Sequence, residues 1–160
     1  MIEVFTIGGY SEVGKNMTAI KVDDEIIILD MGLYLPAVLE YEEGDPRELT
    51  TKDLIKIGAI PNDEILYDKK DQVKAIILGH CHLDHIGAAP FLARHYDCPV
   101  IGTRYTIEVL KKLLEEHEYK LEGRLKPVNI NSHFEISKDI KVEFINITHS
   151  TPETVLVAIH

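Results

Sequence analysis

The sequence predicts an α/β protein in which a mixed β-sheet system is flanked by helices. Three observations predict this class. Apolar segments of strand length fill the first 30 residues, the middle of the chain alternates strand and helix patterns, and further strand segments follow up to residue 159. Strands and helices in this order pack as layers, because each element must bury its apolar face against another.

The first 30 residues contain three predicted strands, at 2–7, 17–22 and 25–30. Asp23 and Asp24 separate the second strand from the third, and a short polar pair of this kind is typical of a tight hairpin. Residues 26–29 are apolar without alternation. We therefore expect the third strand to be buried on both of its faces.

Residues 31–72 are rich in proline, glycine and acidic residues and predict a long excursion with a short helix near 50–57. Pro90 would stand in the first turn of a later helix, where its missing N–H costs little. The longest helical pattern has isoleucine and leucine at helical spacing. The predicted strands of this part are 74–79, 99–102, 125–130, 140–147 and 154–159, and the predicted helices are 87–96 and 106–121.

The chain has 160 residues, of which 45% are hydrophobic, so it can form one domain or part of one around a real core. No apolar run approaches the roughly 18 residues that cross a bilayer. The N-terminus lacks the pattern of a signal peptide, and two cysteines are too few for a disulfide framework. These observations predict a cytoplasmic protein without a membrane partner.

The net charge of −10 argues against a nucleic-acid binder, because contacts to phosphate need lysine and arginine. The objection is weaker for a metal-dependent nuclease. Bound cations reverse the sign of the local field, and their ligands are themselves often acidic. An RNA substrate is therefore compatible with this composition.

Four potential metal ligands, His80, His82, Asp84 and His85, directly follow the predicted strand 74–79. Alternate residues of an extended chain face the same side, so the first two imidazoles should point together. We expect them to hold one cation, and the carboxylate with the third imidazole to hold a second. Imidazole nitrogen and carboxylate oxygen suit zinc and manganese. The alternative is a polar turn with packed or solvated histidines, but this spacing favours a metal site.

His149 also follows a predicted strand, and it is a candidate third ligand of the first cation or else a turn residue. Asp30 ends the third strand, where it either caps a turn or orients a ligand histidine from behind. Cys81 should point away from its histidine neighbours as a small buried residue, with a zinc ligand as the alternative.

The other histidines have weaker claims. His95 is expected near the negative end of a helix, His117 on a solvated helix face, and His133 in a loop. His160 is the last residue, so its position carries no argument.

The segment from His80 to His85 resembles the signature of the metallo-β-lactamase superfamily. The stretches GGYSEVGKNM, IIILDMGLYLP, ILGHCHLDHIGAAPFL and THSTPETV more narrowly resemble the ribonuclease J family of the β-CASP branch, in its archaeal form. The resemblance covers essentially the whole chain. The histidine signature alone specifies only the superfamily, whereas Gly14-Lys15-Asn16 and His149-Ser150 add the character of the ribonucleases.

The resemblance implies the N-terminal part of a four-layer αββα sandwich over residues 1–160, with two divalent cations at the edges of its sheets. It implies that His80, His82 and His149 hold one cation and that Asp84 and His85 hold the other, with Asp30 in support. Zinc is expected, with manganese as the alternative. Asp84 and His85 would also be the catalytic residues, beside the supporting Asp30.

The resemblance further implies 5′→3′ exonuclease action on RNA, with possible endonuclease action, and a homodimer in the full-length protein. A bridging aspartate and the β-CASP domain of the family are expected beyond residue 160. The reaction would be a two-metal hydrolysis, in which the cations lower the pKa of the attacking water toward neutrality.

Two other functions compete with this one. A small-molecule thioester or ester hydrolase of the same superfamily would have a similar site, but the long segment between Asp30 and His80 argues against a compact thioesterase. A metal-free RNA-binding subunit is the third possibility, and the intact set of ligand residues argues against it.

Overall fold

Two β-sheets lie face to face in the computed structural model, which describes residues 1–121 and 123–160. The larger sheet has the strand order β1-β2-β3-β4-β5-β6, and the smaller has the order β7-β8-β9. The strands of the larger sheet are β1 Ile2–Gly8, β2 Met17–Val22, β3 Glu25–Leu29, β4 Val73–Leu78, β5 Val100–Thr103 and β6 Leu125–Val128. Those of the smaller sheet are β7 Ser132–Glu135, β8 Lys141–Asn146 and β9 Val155–Ile159.

Strands β1 to β3 pair antiparallel, whereas β3 to β6 pair parallel. Parallel neighbours need crossover connections, and the helical segments supply them. The α-helices are α1 Leu35–Leu39, α2 Thr51–Lys56, α3 Leu83–Ile86, α4 Ala89–Leu92 and α5 Arg104–Glu116. Short 3₁₀ helices add Pro46–Glu48, Glu64–Gln72 and Ala93–His95. Within the described residues, none of these helices has the length and apolar character needed to span a membrane.

The apolar core lies on both faces of the larger sheet. Ile26 and Ile28 pack with the helices on one face, and Ile27 packs against the smaller sheet on the other. All three side chains are fully buried, which confirms the burial predicted for this strand. In the described part of the chain the layers are therefore helices, six-stranded sheet and three-stranded sheet, and the predicted α/β class is correct.

The predicted helix at 87–96 is wrong as a single element. The structure has a helical turn at 83–86, a new start at Ala89 and a 3₁₀ turn at 93–95. Pro90 lacks the N–H that would continue the first turn, so the helix restarts with proline at its beginning. The predicted helix at 106–121 is α5, which ends at Glu116 because Glu118 has a positive φ of 57°.

Strand β7 was not predicted, and the expectation that His133 lies in a loop is wrong. The strand has only four residues, of which Phe134 packs against the core between the sheets. It forms because β8 pairs with it along its whole length. Long-range pairing of this kind leaves little trace in a short segment of mixed polarity.

Asp63 fixes the long excursion of residues 31–72 against the segment after α4. Its buried carboxylate accepts hydrogen bonds from the Tyr96 hydroxyl at 2.7 Å and from His95 Nδ1 at 2.9 Å. His95 thus bonds a carboxylate, a partner that the sequence did not reveal. Burial raises the pKa of Asp63, but the hydrogen bonds from His95 and Tyr96 outweigh it and hold that pKa below its usual value.

We predict that Tyr96→Phe lowers the free energy of unfolding by about 1–3 kcal/mol at pH 7, because a buried carboxylate loses a donor. A carboxyl whose pKa is lowered by folding stabilises only where it is ionised. The loss should therefore persist above about pH 4 and shrink as the pH falls below it. Urea unfolding of both proteins across this range measures the difference.

Tyr105→Phe is the matched control, because the Tyr105 side chain is 42% exposed. This variant should change the free energy of unfolding by less than about 0.5 kcal/mol. Equal stability of Tyr96→Phe and the parent protein at pH 7 would show that the Asp63 network does not stabilise the fold.

Candidate metal centre

His80 and His82 follow β4 in the extended loop that leads into α3. His82 has extended backbone angles, with φ −65° and ψ 147°, and directly precedes the helix. His80 Nε2 lies 3.0 Å from His82 Nδ1. Cys81, between them, packs half-buried against the helix-side core. The alternation predicted from the sequence is therefore correct at all three positions.

His149 reaches the same point from the smaller sheet. It lies in the loop between β8 and β9, and its Nε2 is 3.2 Å from His82 Nδ1. Its ring centroid is 4.7 Å from that of His80. The backbone N–H of Val155 donates to the carbonyl of Gly79 at 3.0 Å, so the start of β9 is bonded directly to the loop that bears His80.

The ligand atoms of His80, His82 and His149 all lie within 4.8 Å of one another. A tetrahedral zinc ion with Zn–N bonds of about 2.0–2.1 Å requires nitrogens roughly 3.3–3.4 Å apart. The two shortest separations, 3.0 and 3.2 Å, are close to this requirement. Burial, and secondarily the neighbouring imidazoles, lower the pKa of His80 to about 4, so the ring is neutral at pH 7 as a ligand must be. The three residues fit a divalent cation.

Asp84 and His85 form a pair beside these three histidines. Both lie on α3, and Asp84 Oδ2 is 3.5 Å from His85 Nε2. The ring centroids of His85 and His80 are 4.0 Å apart. The structure thus brings all five sequence-predicted ligand residues into one region, with three of them in a compact group and two adjacent to it.

Asp30 links two of these segments. Its Oδ1 accepts a hydrogen bond from the backbone N–H of Gly79 at 2.9 Å, and its Oδ2 lies 2.8 Å from His85 Nδ1. Burial lowers the pKa of His85, but the bond to Asp30 and the charges of Asp30 and Asp84 outweigh it, so that pKa is raised. Of the two roles left open by the sequence, the geometry favours the one in which Asp30 orients a histidine.

Asn16 also belongs to this region, although its chemistry did not mark it as a site residue in the sequence. Its Nδ2 lies 2.9 Å from the Asp84 carbonyl oxygen and 3.4 Å from both Asp84 Oδ2 and His85 Nε2. The signals in the sequence were its place in the Gly14-Lys15-Asn16 motif and at the end of the glycine-rich turn of residues 8–16. Ser150 is a further neighbour, with Oγ 3.3 Å from His82 Nε2.

The remaining histidines lie elsewhere. His117, expected on a solvated face, is half-buried at the end of α5, where its ring packs against Phe91 at a centroid distance of 4.7 Å. His133 and His160 both approach Glu143 on the smaller sheet, at 3.7 and 3.0 Å. The sequence assigned only weak claims to His117 and His133, and both lie outside the group of candidate ligands.

An open pocket of about 370 Å³ lies between the ends of the two sheets. Its polar wall includes Asp30, His80, His85 and His149, and its apolar wall includes Leu29, Ile77, Val155 and Val157. The imidazoles are thus accessible from one side and backed by the core on the other.

Comparison with known proteins agrees with this geometry. Residues 11–158 match the sequence model of the metallo-beta-lactamase superfamily. Among solved structures, a protein of unknown function from Enterococcus faecalis matches 98% of this chain and 40% of its own with a TM-score of 0.70 at 17% identity. An archaeal metallo-beta-lactamase superfamily protein from Sulfolobus tokodaii matches 99% of this chain and 59% of its own with a TM-score of 0.60 at 16% identity. These likenesses confirm the fold.

Two curated relatives are more similar in sequence. Ribonuclease J of Methanocaldococcus jannaschii is 48% identical over 99% of this chain, and ribonuclease J of Pyrococcus abyssi is 45% identical over all of it. The chain spans 36% of the length of each of these relatives. The chain belongs to the metallo-β-lactamase superfamily, and these two curated relatives are named ribonuclease J.

Proposed function

We propose that this chain provides the metal-binding part of a ribonuclease that hydrolyses RNA phosphodiesters. The observation that carries the proposal is the meeting of His80, His82 and His149, from two different sheets, beside Asp84 and His85. The similarity to ribonucleases J supports RNA as the substrate. The residues 1–160 would act as the first part of a metallo-β-lactamase domain.

In this proposal His80, His82 and His149 hold one divalent cation, and Asp84 with His85 holds a second. Zinc suits the three imidazoles best, and manganese suits the mixed pair as well. Bound cations of this kind polarise the phosphodiester and lower the pKa of the attacking water. Other side chains of the chain orient the ligand residues.

Asp30 has a positioning role toward His85. Its carboxylate accepts a hydrogen bond from Nδ1–H, which leaves the lone pair on Nε2, the nitrogen that lies 3.5 Å from Asp84 Oδ2. An imidazole oriented by a carboxylate is a better metal ligand than a free one, because the bond fixes both its tautomer and its direction. The same carboxylate holds Gly79, next to His80, so it organises both parts of the proposed site.

The net charge of −10 would repel RNA from a metal-free chain. Two divalent cations at the pocket would oppose that charge locally, where phosphate must bind. We propose 5′→3′ exonuclease action, with endonuclease action possible, in a cytoplasmic homodimer. These finer features rest on the family resemblance of the sequence.

We predict that His82→Ala weakens zinc binding by at least about 100-fold, because the central imidazole contacts both of the other two. Isothermal titration of the metal-free protein with Zn²⁺ measures the affinity. His133→Ala, which removes a half-exposed imidazole outside the centre, is the matched control and should bind as the parent does. Parent-like affinity in His82→Ala would refute the three-histidine site.

We predict that the complete natural chain containing these residues degrades 5′-monophosphorylated RNA and leaves a simple thioester intact. His82→Ala should slow RNA hydrolysis by at least about 100-fold, because the proposed cation site is lost. Gel analysis of the RNA and a thiol-release assay measure the two activities on matched protein samples. Thioester cleavage without RNA cleavage would favour the small-molecule hydrolase, whereas intact RNA together with absent metal would favour a binding subunit.

A further inference from the structure

Helix α3 is too short to stabilise itself. It has four residues, and an isolated helix of that length is unstable because too few hydrogen bonds form to offset the unfavourable free energy of nucleation. Its carbonyl groups are bonded instead by other segments of the chain. The N–H groups of Leu33 and Met31 donate to the carbonyls of Leu83 and His85 at 2.8 and 2.7 Å.

The third carbonyl of this turn, that of Asp84, is bonded by Asn16 alone among the contacts of the described residues. The backbone N–H of Asn16 donates to it at 3.0 Å and the side-chain Nδ2 donates at 2.9 Å. Asn16 is itself fixed, because its carbonyl accepts the N–H of Gly32 at 2.9 Å. Gly32 packs directly against the backbone of Asp84, because a Cβ on Gly32 would stand 1.6 Å from the backbone carbonyl oxygen of Asp84.

The same Asn16 amide faces both ligand atoms of the Asp84–His85 pair. Nδ2 is 3.4 Å from Asp84 Oδ2 and 3.4 Å from His85 Nε2, while those two atoms are 3.5 Å from each other. An amide nitrogen carries two N–H groups and no lone pair for a metal. The Nδ2 atom therefore cannot ligate a cation, but one of its N–H groups can bond a lone pair of Asp84 Oδ2 that a cation does not use, whereas the single lone pair of His85 Nε2 stays available for the cation.

We infer that Asn16 is a positioning residue of the second cation site, which sets the place and direction of the Asp84 carboxylate beside His85 Nε2 through its bonds to the Asp84 carbonyl and Oδ2. The inference rests on the proposed two-cation function and adds a residue that lies beside the Asp84–His85 pair. Because the backbone N–H of Asn16 holds the Asp84 carbonyl independently of its side chain, the helical turn persists when the side chain is removed.

We predict that Asn16→Ala weakens binding of the second Zn²⁺ by about 10–100-fold and leaves the first within about twofold, since residues that orient ligands have effects of this size. Isothermal titration of the complete natural chain, stripped of metal, separates the two binding steps. Asp84→Ala, which removes the proposed carboxylate ligand of the second site, identifies which step belongs to that site.

Glu12→Ala is the matched control, because it shows whether a disturbed glycine-rich turn alone weakens cation binding. Glu12 Oε1 accepts the N–H of Gly9 at 3.3 Å and lies 3.5 Å from Lys15 Nζ. It supports the same turn from its other side. Glu12→Ala should bind both cations as the parent does, and Asn16→Ala should unfold cooperatively with a far-UV circular dichroism spectrum like that of the parent.

The inference is wrong if Asn16→Ala binds the second cation as tightly as the parent does. It is also wrong if Glu12→Ala weakens binding of the second cation as much as Asn16→Ala does, or if the parent protein binds a single cation. The proposed ribonuclease fails by a different result, which is absence of RNA cleavage by the parent protein with its cations bound. The two failures are therefore distinguishable in the same set of samples.

Discussion

The arrangement of the candidate metal centre depends on the carboxylate of Asp30. One of its oxygens accepts the backbone N–H of Gly79 and the other accepts from His85. The Gly79 carbonyl in turn accepts the N–H of Val155 from the second sheet. One side chain thus connects the end of β3, the loop after β4, α3 and, through Gly79, the start of β9. Asp30 has a φ of 61°, a conformation that aspartate tolerates better than most residues.

Parallel pairing explains why the ligand residues meet at one edge. β3 and β4 are parallel neighbours, so Asp30 and the segment beginning at Gly79 emerge from the same edge of the larger sheet. The smaller sheet packs on the opposite face from the helices and brings His149 from the loop after β8. Two rigid sheets therefore hold imidazoles that are separated by long stretches of sequence, and a centre built in this way needs little rearrangement to bind a cation.

The sequence was sufficient where local patterns decide the structure. Period-two alternation placed His80 and His82 together, and the unbroken apolar run identified β3 as buried on both faces. It was insufficient where distant contacts decide. Pairing with β8 makes a strand of the segment around His133, and tertiary hydrogen bonds hold the helical turn that includes Asp84. The sequence marked Asn16 only as part of the Gly14-Lys15-Asn16 motif, and its contacts could not be predicted because its partners lie far along the chain.

We propose that His80, His82 and His149 together bind one divalent cation. The decisive measurement is a crystal structure of the protein soaked in zinc, with diffraction measured on both sides of the zinc absorption edge. We expect an anomalous peak about 2.0–2.1 Å from a nitrogen of each of the three imidazoles. A zinc peak away from these histidines, or one bound by fewer than three of them, would contradict it.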